Sequence, residues 1–193
     1  MESLELVQGL VNRHAQSPCP GPHSALGLMG RFNDKTQGGT VSADFSARGL
    51  FDISGRTIIV TGGAVGIGKV YSQALGAVGA NVVIADIEAG AGKALAAEIE
   101  ASSNETGGHA IFAETDVSRI DACNALVKST IDRFGRVDGL VNNAALYAKI
   151  PKRKDWTTIP EDEWDQLMAV NLKGIFNCCK AVHDQMKTQG YGK

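Results

Sequence analysis

Long apolar runs are missing from this sequence. No stretch approaches the roughly 18 consecutive apolar positions that a membrane-spanning helix needs. The N-terminus, MESLELVQGL, has no basic n-region and no long apolar core, which sets aside a secretory signal peptide. An excess of one charge sign is missing too. The net charge is −2 and there is no basic run, so neither nucleic acid nor an anionic membrane is expected as a partner. Cysteine is scarce: Cys19, Cys123, Cys178 and Cys179. No pair has CxxC spacing and no histidine lies at ligand spacing beside one, so neither a metal site nor a disulfide framework is expected. Cys178 and Cys179 are adjacent, and on a helix they would point about 100° apart. All four read as free thiols, buried or half-buried, in a reducing compartment, the cytoplasm. What is present is ordinary: 44% hydrophobic and 21% charged residues in a chain of 193, enough for one domain with a real core.

The first 49 residues lack a period. They hold Pro18, Pro20, Pro22, seven glycines and scattered single apolar residues. This composition predicts a poorly ordered extension over 1–49. A regulatory tail and upstream sequence read from a misplaced start are the two alternatives for it. From Leu50 the pattern becomes regular, and 50–193 reads as one domain. Thr57 to Val60 is a short β-branched run, hence a buried strand. Residues 66–78 follow with Ile67, Val70, Ala74 and Val78 at helical spacing. NVVIA, 81–85, is a second buried strand. Residues 89–101 are alanine-rich with Leu95 and Ile99 four apart, hence helix. His109 to Ala113 is a third strand, with His109 in a structural role. Residues 119–134 carry Cys123, Val127, Ile131 and Phe134 on one face. Val137 to Val141 is a fourth strand. A long helix is predicted over 161–189, with Trp164, Met168, Asn171, Ile175, Cys178, Val182 and Met186 along one stripe. Trp164, Met168 and Val182 are expected in the core or at a subunit interface. Gly174 is expected at a bend and Gly190 at the stop.

Strand and helix alternate four times, which implies a parallel sheet with helices on both faces. Right-handed crossovers make the doubly wound arrangement the simplest, with the first strand central. A ligand would then lie beyond the carboxyl ends of the strands, between the first and the fourth.

The turn at that place is TGGAVGIG, residues 61–68, leaving a strand and opening a helix. Gly62 permits a tight turn, Gly66 lets a pyrophosphate approach the backbone, and Gly68 allows close packing of the helix. The helix start offers free N–H groups and partial positive charge. A purely structural turn is the bland alternative, and the strand–turn–helix context argues against it. There is no GK[ST], which disfavours an ATP or GTP loop. Asp86 ends the second strand, 24 residues after Gly62. An acid there accepts hydrogen bonds from both hydroxyls of an adenosine ribose and repels a 2′-phosphate. No arginine or lysine occupies position 87, which is Ile87, or the turn position Val65. NAD is therefore favoured over NADP. Taken alone, Asp86 would be a solvated loop acid, and its strand context promotes it.

With these residues in order, the stretch from Leu50 to Lys193 resembles the short-chain dehydrogenase/reductase family. The resemblance implies a Rossmann-type fold, doubly wound and parallel, with strands 1–4 of the usual set. TGGAVGIG matches the cofactor turn, which assigns Gly62, Ala64, Val65, Gly66, Ile67 and Gly68 to cofactor binding. The TGxxxGxG spacing differs from the TGxxGxxG of the extended, epimerase-like branch. Asp86 and Ile87 resemble the NAD-selecting end of the second strand. Asp116 and Val117 resemble the pair that holds adenine, through the carboxylate and the valine N–H. Asn142-Asn143-Ala144-Ala145 resembles the family's NNAG, placing Asn143, Ala144 and Ala145 beside the cofactor. Ala145 stands where glycine is usual, and its methyl is expected to have little effect. Asn171, within VNLKG, resembles the active-site asparagine of the family's helix.

The same resemblance implies an oxidoreductase that interconverts an alcohol and a carbonyl compound by hydride transfer. In the family a serine on strand 5 and a Tyr-x-x-x-Lys on the next helix carry the proton chemistry. No counterpart of that strand-5 serine and no Tyr-x-x-x-Lys appears here. Tyr191 and Lys193 are two apart, and Tyr71 and Tyr147 have no lysine four residues on. GYGK, 190–193, looks like the approach to a fifth strand. The sequence therefore reads as truncated before strand 5, inactive as it stands, and aggregation-prone along an exposed fourth strand. A non-catalytic NAD-binding module and a fragment that does not fold alone are the alternatives. Lys149, Lys152, Arg153 and Lys154 lie on a basic loop that would either steer an anionic substrate or be simply solvated. The longer relatives are expected to be homo-oligomers through the long helix.

Overall fold

The computed structural model describes residues 51–147 and 155–193. The expected extension over 1–49 and the basic residues Lys149, Lys152, Arg153 and Lys154 lie outside the described residues, as do Cys19, His14 and His23.

The described elements are β1 (Thr57–Thr61), α1 (Gly66–Ala77), β2 (Asn81–Asp86), α2 (Ala89–Ala101), a short α3 (Ser103–Thr106), β3 (Ala110–Glu114), α4 (Ile120–Phe134) and β4 (Gly139–Val141). A 3-10 turn at Trp156–Thr158 leads into α5 (Glu161–Met168), a π turn (Ala169–Lys173) and α6 (Gly174–Thr188). The sheet is all parallel with order β3-β2-β1-β4. This is the doubly wound half-sheet expected from the alternation, with β1 inside.

The strands are apolar on both sides because both faces are covered. Val60, Val82 and Ile84 meet Leu95, Ala96 and Ile99 of α2 on one face. Ile59, Val83 and Ala85 meet Leu126 and Val127 of α4 and Val182 of α6 on the other. Each of the fully buried valine, leucine and isoleucine side chains contributes about 1.5–3 kcal/mol.

Two helices present a different face from the one their periodicity suggests. On α1 the apolar Ile67 and Val70 are exposed, as is Val78 just beyond it, and the buried residues are Gly68, Ser72 and Gly76. Small residues let this helix approach closely: a Cβ on Gly76 would lie 2.6 Å from Ile99 Cγ2. The long helix is interrupted by the π turn, which adds a residue and rotates everything after it. Trp164 and Met168, which precede the turn, and Ile175, which follows it, are exposed, while Gly174, Asn177, Cys178 and Val182 face inward, Val182 in the core as expected. Gly174 follows the bend and lets α6 approach β3's exit, since a Cβ there would lie 2.7 Å from Val117 Cγ2. Gly190 stops the helix with φ +70°. Cys123 and Cys178 are buried as expected, but Cys179 is exposed.

β4 is shorter than expected, yet its lead-in is well anchored. Asp138 is 3% exposed and accepts hydrogen bonds from Thr57 N–H (2.9 Å) and Arg136 Nε (2.6 Å), with Arg56 Nη1 at 3.2 Å. Burial pushes its carboxyl up, but the Arg136 bond, the Thr57 N–H and Arg56 outweigh that, and the net shift is down. On the open side of β4, Lys193 N–H donates to Asp138 O (3.0 Å) and Leu140 N–H donates to Lys193 O (2.9 Å). That is one rung of a parallel ladder, so GYGK does run onto the fourth strand. Beyond it lies an open groove of about 670 Å³ bordered by Leu140, Cys179, Val182, Met186 and Tyr191. His109 lies just before β3, where its Nδ1 is 3.0 Å from Glu100 Oε1.

Candidate functional site

The carboxyl ends of the four strands open into a cleft of about 630 Å³. It lies where α1 leaves β1 on one side and the chain leaves β4 on the other, the switch point of the sheet.

The turn after β1 forms its floor, and each glycine there has a distinct physical reason. Gly62 has φ +60°, and a Cβ on it would lie 2.8 Å from Ala144 Cα. Gly68 packs against the turn itself: a Cβ would lie 1.9 Å from Gly62 O. Gly66 has φ +56° and nothing within 4 Å of where a Cβ would be. Its freedom is needed for conformation and leaves the floor open to an approaching group. Val65 caps α1 in extended geometry with no side-chain hydrogen bond, and the first turn of α1 holds no acidic residue. The N–H groups of that turn therefore keep their positive end for a ligand.

Asp86 is 6% exposed at the end of β2. Its Oδ2 accepts the Ala64 N–H at 2.9 Å and its Oδ1 the Glu88 N–H at 3.0 Å. The carboxylate thus ties the glycine turn to the second strand. Each oxygen keeps acceptor capacity for a further donor from the cleft. Ala64 itself is buried and acts through this backbone contact; Val65, Ile67 and Ile87 line the cleft.

Asp116 and Val117 follow β3 on the same rim. Asp116 Oδ1 accepts from Ser118 N–H (3.0 Å) and Ser118 Oγ (2.7 Å), which fixes the turn into α4. Asn143 laces β4 to β1. Its Nδ2 donates to Thr61 O and Gly62 O, both at 3.0 Å, and its N–H donates to Thr61 Oγ1 at 3.0 Å. Ala144 N–H shares that hydroxyl at 3.1 Å, and Ala144 and Ala145 line the cleft. Asn171 lies on the π turn. Its Oδ1 accepts Leu146 N–H at 2.7 Å and its Nδ2 donates to Leu146 O at 3.2 Å. One side-chain amide therefore clamps one backbone residue of the cleft wall.

All the sequence-derived positions converge here, Ala64 and Asn171 through backbone contacts. Residues at the cleft that the sequence does not single out are Thr61, Glu88, Thr115, Leu146 and Val170. Thr61 offers its hydroxyl to three backbone groups, donating to Val141 O at 3.2 Å. Its place as the first residue of the turn was the only available signal. Among the described residues no cluster of three or more histidine, cysteine or acidic side chains could hold a metal ion.

The short chain dehydrogenase family model matches residues 56–193. The short chain dehydrogenase/reductase astE of Aspergillus oryzae is 41% identical over 142 residues, covering 74% of this chain and 52% of that protein. The peroxisomal multifunctional enzyme type 2 of Mus musculus is 33% identical over 144 residues, covering 72% of this chain and 19% of that protein. Among solved structures, NAD+-bound xylitol dehydrogenase superposes with a TM-score of 0.65 at 28% identity, covering 72% of this chain and 51% of that one. The chain belongs to the short-chain dehydrogenase/reductase family of oxidoreductases. It spans about half the length of the A. oryzae relative.

Proposed function

We propose that this chain forms the NAD-holding half of an oxidoreductase that interconverts an alcohol and a ketone or aldehyde. The observation that carries this reading is the Asp86 carboxylate. It is buried at the cleft's adenosine end, bonded to the glycine turn, with acidic Glu88 beside it on the rim. Two acids and no basic residue between them favour ribose hydroxyls and oppose the 2′-phosphate of NADP. The NAD+-bound form of the similar xylitol dehydrogenase supports the same choice.

The α1 N-terminus and the open face of Gly66 would take the pyrophosphate. Asp116 and Val117 would bracket the adenine. Asn143, Ala144 and Ala145 would flank the nicotinamide ribose. Asn171 acts as a positioning residue through Leu146. NAD, when bound, supplies hydride transfer at its nicotinamide. The sequence contains no Tyr-x-x-x-Lys, so its own residues supply no matched proton donor. The 193 residues are therefore expected to bind NAD without turnover, which keeps a non-catalytic NAD-binding role as the second reading.

The substrate of the whole enzyme would be a small alcohol or carbonyl compound; neither nucleic acid nor a membrane is proposed as partner. Among the described residues no helix is long and apolar enough to cross a membrane. The free thiols support a reducing compartment, the cytoplasm. The exposed Trp164, Met168, Leu172 and Phe176 on α5, the π turn and α6 support pairing with a second copy.

Two measurements on the full chain test this reading. NADH fluorescence should rise on titration with protein, and NADH should not be oxidised when ketones and aldehydes are added. Oxidation by the 193-residue chain would show that a proton donor is present after all. No fluorescence change with folded protein would overturn the cofactor assignment.

A further inference from the structure

Behind the adenine rim lies a feature that cofactor binding does not use. Cys123 on α4 and Cys178 on α6 are 0% and 2% exposed, and their sulfurs are 3.7 Å apart. Both helices also reach the same backbone oxygen. Cys123 Sγ donates to Val117 O at 3.7 Å, and Asn177 Nδ2 donates to it at 2.9 Å. Val117 in turn lines the cleft. The two thiols thus hold the seam between α4 and α6 directly beneath a residue of the candidate site.

We propose that Cys123 and Cys178 are an oxidative modification site, a thiol pair that peroxide closes into a disulfide and that thereby loosens the adenine end of the cleft. The part concerning nucleotide rests on the cofactor reading above. Closing the pair needs the sulfurs to approach from 3.7 Å to about 2.05 Å, which draws α4 and α6 together. It also removes the thiol proton that Cys123 gives to Val117 O.

The Cys123 thiolate attacks one peroxide oxygen; the O–O bond breaks, leaving a sulfenic acid and, with the released proton, one water. The Cys178 sulfur then attacks the Cys123 sulfur; the S–S bond forms, the S–O bond breaks, and a second water leaves. Two thiols are oxidised and one peroxide is reduced to two waters. Cys123 attacks first because it is the more acidic thiol. The hydrogen bond from Cys178 holds the Cys123 thiol below its ordinary range, whereas the bond to Cys123 and burial push Cys178 up. Burial makes the first step depend on local opening of the seam.

The test uses the full chain with Cys19→Ser and Cys179→Ser, which leaves only these two thiols. After hydrogen peroxide, the intact mass should fall by two hydrogens, with the protein still monomeric on a non-reducing gel and closed to alkylation until reduced. Amides of Asp116–Arg119 should exchange hydrogen faster in the oxidised form. NAD should bind it about fivefold more weakly, the loss of about one hydrogen bond's worth of positioning. If the serine changes impair folding, peptide mapping of the unmutated chain reads the same cross-link. Two free thiols after peroxide, sulfinic products alone, or only intermolecular cross-links would overturn the proposal. A disulfide with unchanged exchange at Asp116–Arg119 would overturn the coupling. A disulfide with faster exchange in a chain that never binds NAD would support the proposal and sink the cofactor reading instead.

Discussion

Single residues of the turn separate two kinds of glycine requirement. Gly68→Ala places a Cβ 1.9 Å from Gly62 O, so the turn must rearrange. This change should abolish NADH binding and lower stability by about 2–3 kcal/mol. Gly66→Ala meets no atom and bears only the left-handed backbone, at about 1–2 kcal/mol. It should fold and bind NADH more weakly. Thermal melts paired with fluorescence titration distinguish the two, and equal losses would contradict the geometry. At the start of β1, Thr57 Oγ1 is buried and finds no hydrogen-bond partner among the described residues. Thr57→Val keeps the shape and removes the polar atom, so it should stabilise by about 1 kcal/mol, read as a higher Tm. Asp86 was legible in the sequence because an acid at a strand end stands out from an apolar run, whereas Asn143 was reached only through the resemblance of NNAA to the family's NNAG. Thr61 was not legible, because a hydroxyl's three backbone contacts leave no pattern along the chain.

Elements are held in register by a few buried polar ties, and Asp138 is the strongest in the described residues around β4. Its carboxyl is lowered by Arg136, Thr57 N–H and Arg56 against the upward push of burial. A lowered folded pKa contributes stability that is full above the unfolded value, about 4, and lost as pH falls through the folded value. Urea midpoints of the wild-type chain should therefore fall below about pH 4, and those of Asp138→Asn should change less over the same range. At neutral pH Asp138→Asn should cost about 2–4 kcal/mol, since two arginines lose their partner. A parallel pH dependence in both proteins would contradict this account. The strands could be read from β-branched runs because burial on both faces is written directly into composition. The orientation of α1 could not, since Gly68, Ser72 and Gly76 bury through closeness rather than hydrophobicity. The π turn escaped too, because one extra residue does not break the apolar period, and Cys178 and Val182 still face inward as the stripe predicted. Asn171→Ala should release Leu146 and weaken NADH binding severalfold while leaving the Tm within about 1 kcal/mol of equivalent stability. A large loss of Tm would make Asn171 structural rather than positioning.

At the scale of the whole molecule, the described domain buries both faces of its sheet, and two of its open surfaces bear on assembly. One is the groove beside β4, which Lys193 enters with a single rung. The other is the apolar stripe with Leu172 and Phe176. A second copy on this stripe predicts concentration-dependent association by sedimentation, lost in the Leu172→Glu/Phe176→Glu variant. Association that persists in that variant would place the contact elsewhere. The central claim concerns the cleft at the strand ends, and its most direct test is calorimetric titration of the full chain with NAD and NADP side by side. The account predicts saturable NAD binding, NADP weaker by about tenfold or more, and a narrowed gap in Asp86→Ala. Equal affinity for the two nucleotides, or no binding of either by folded protein, would contradict it.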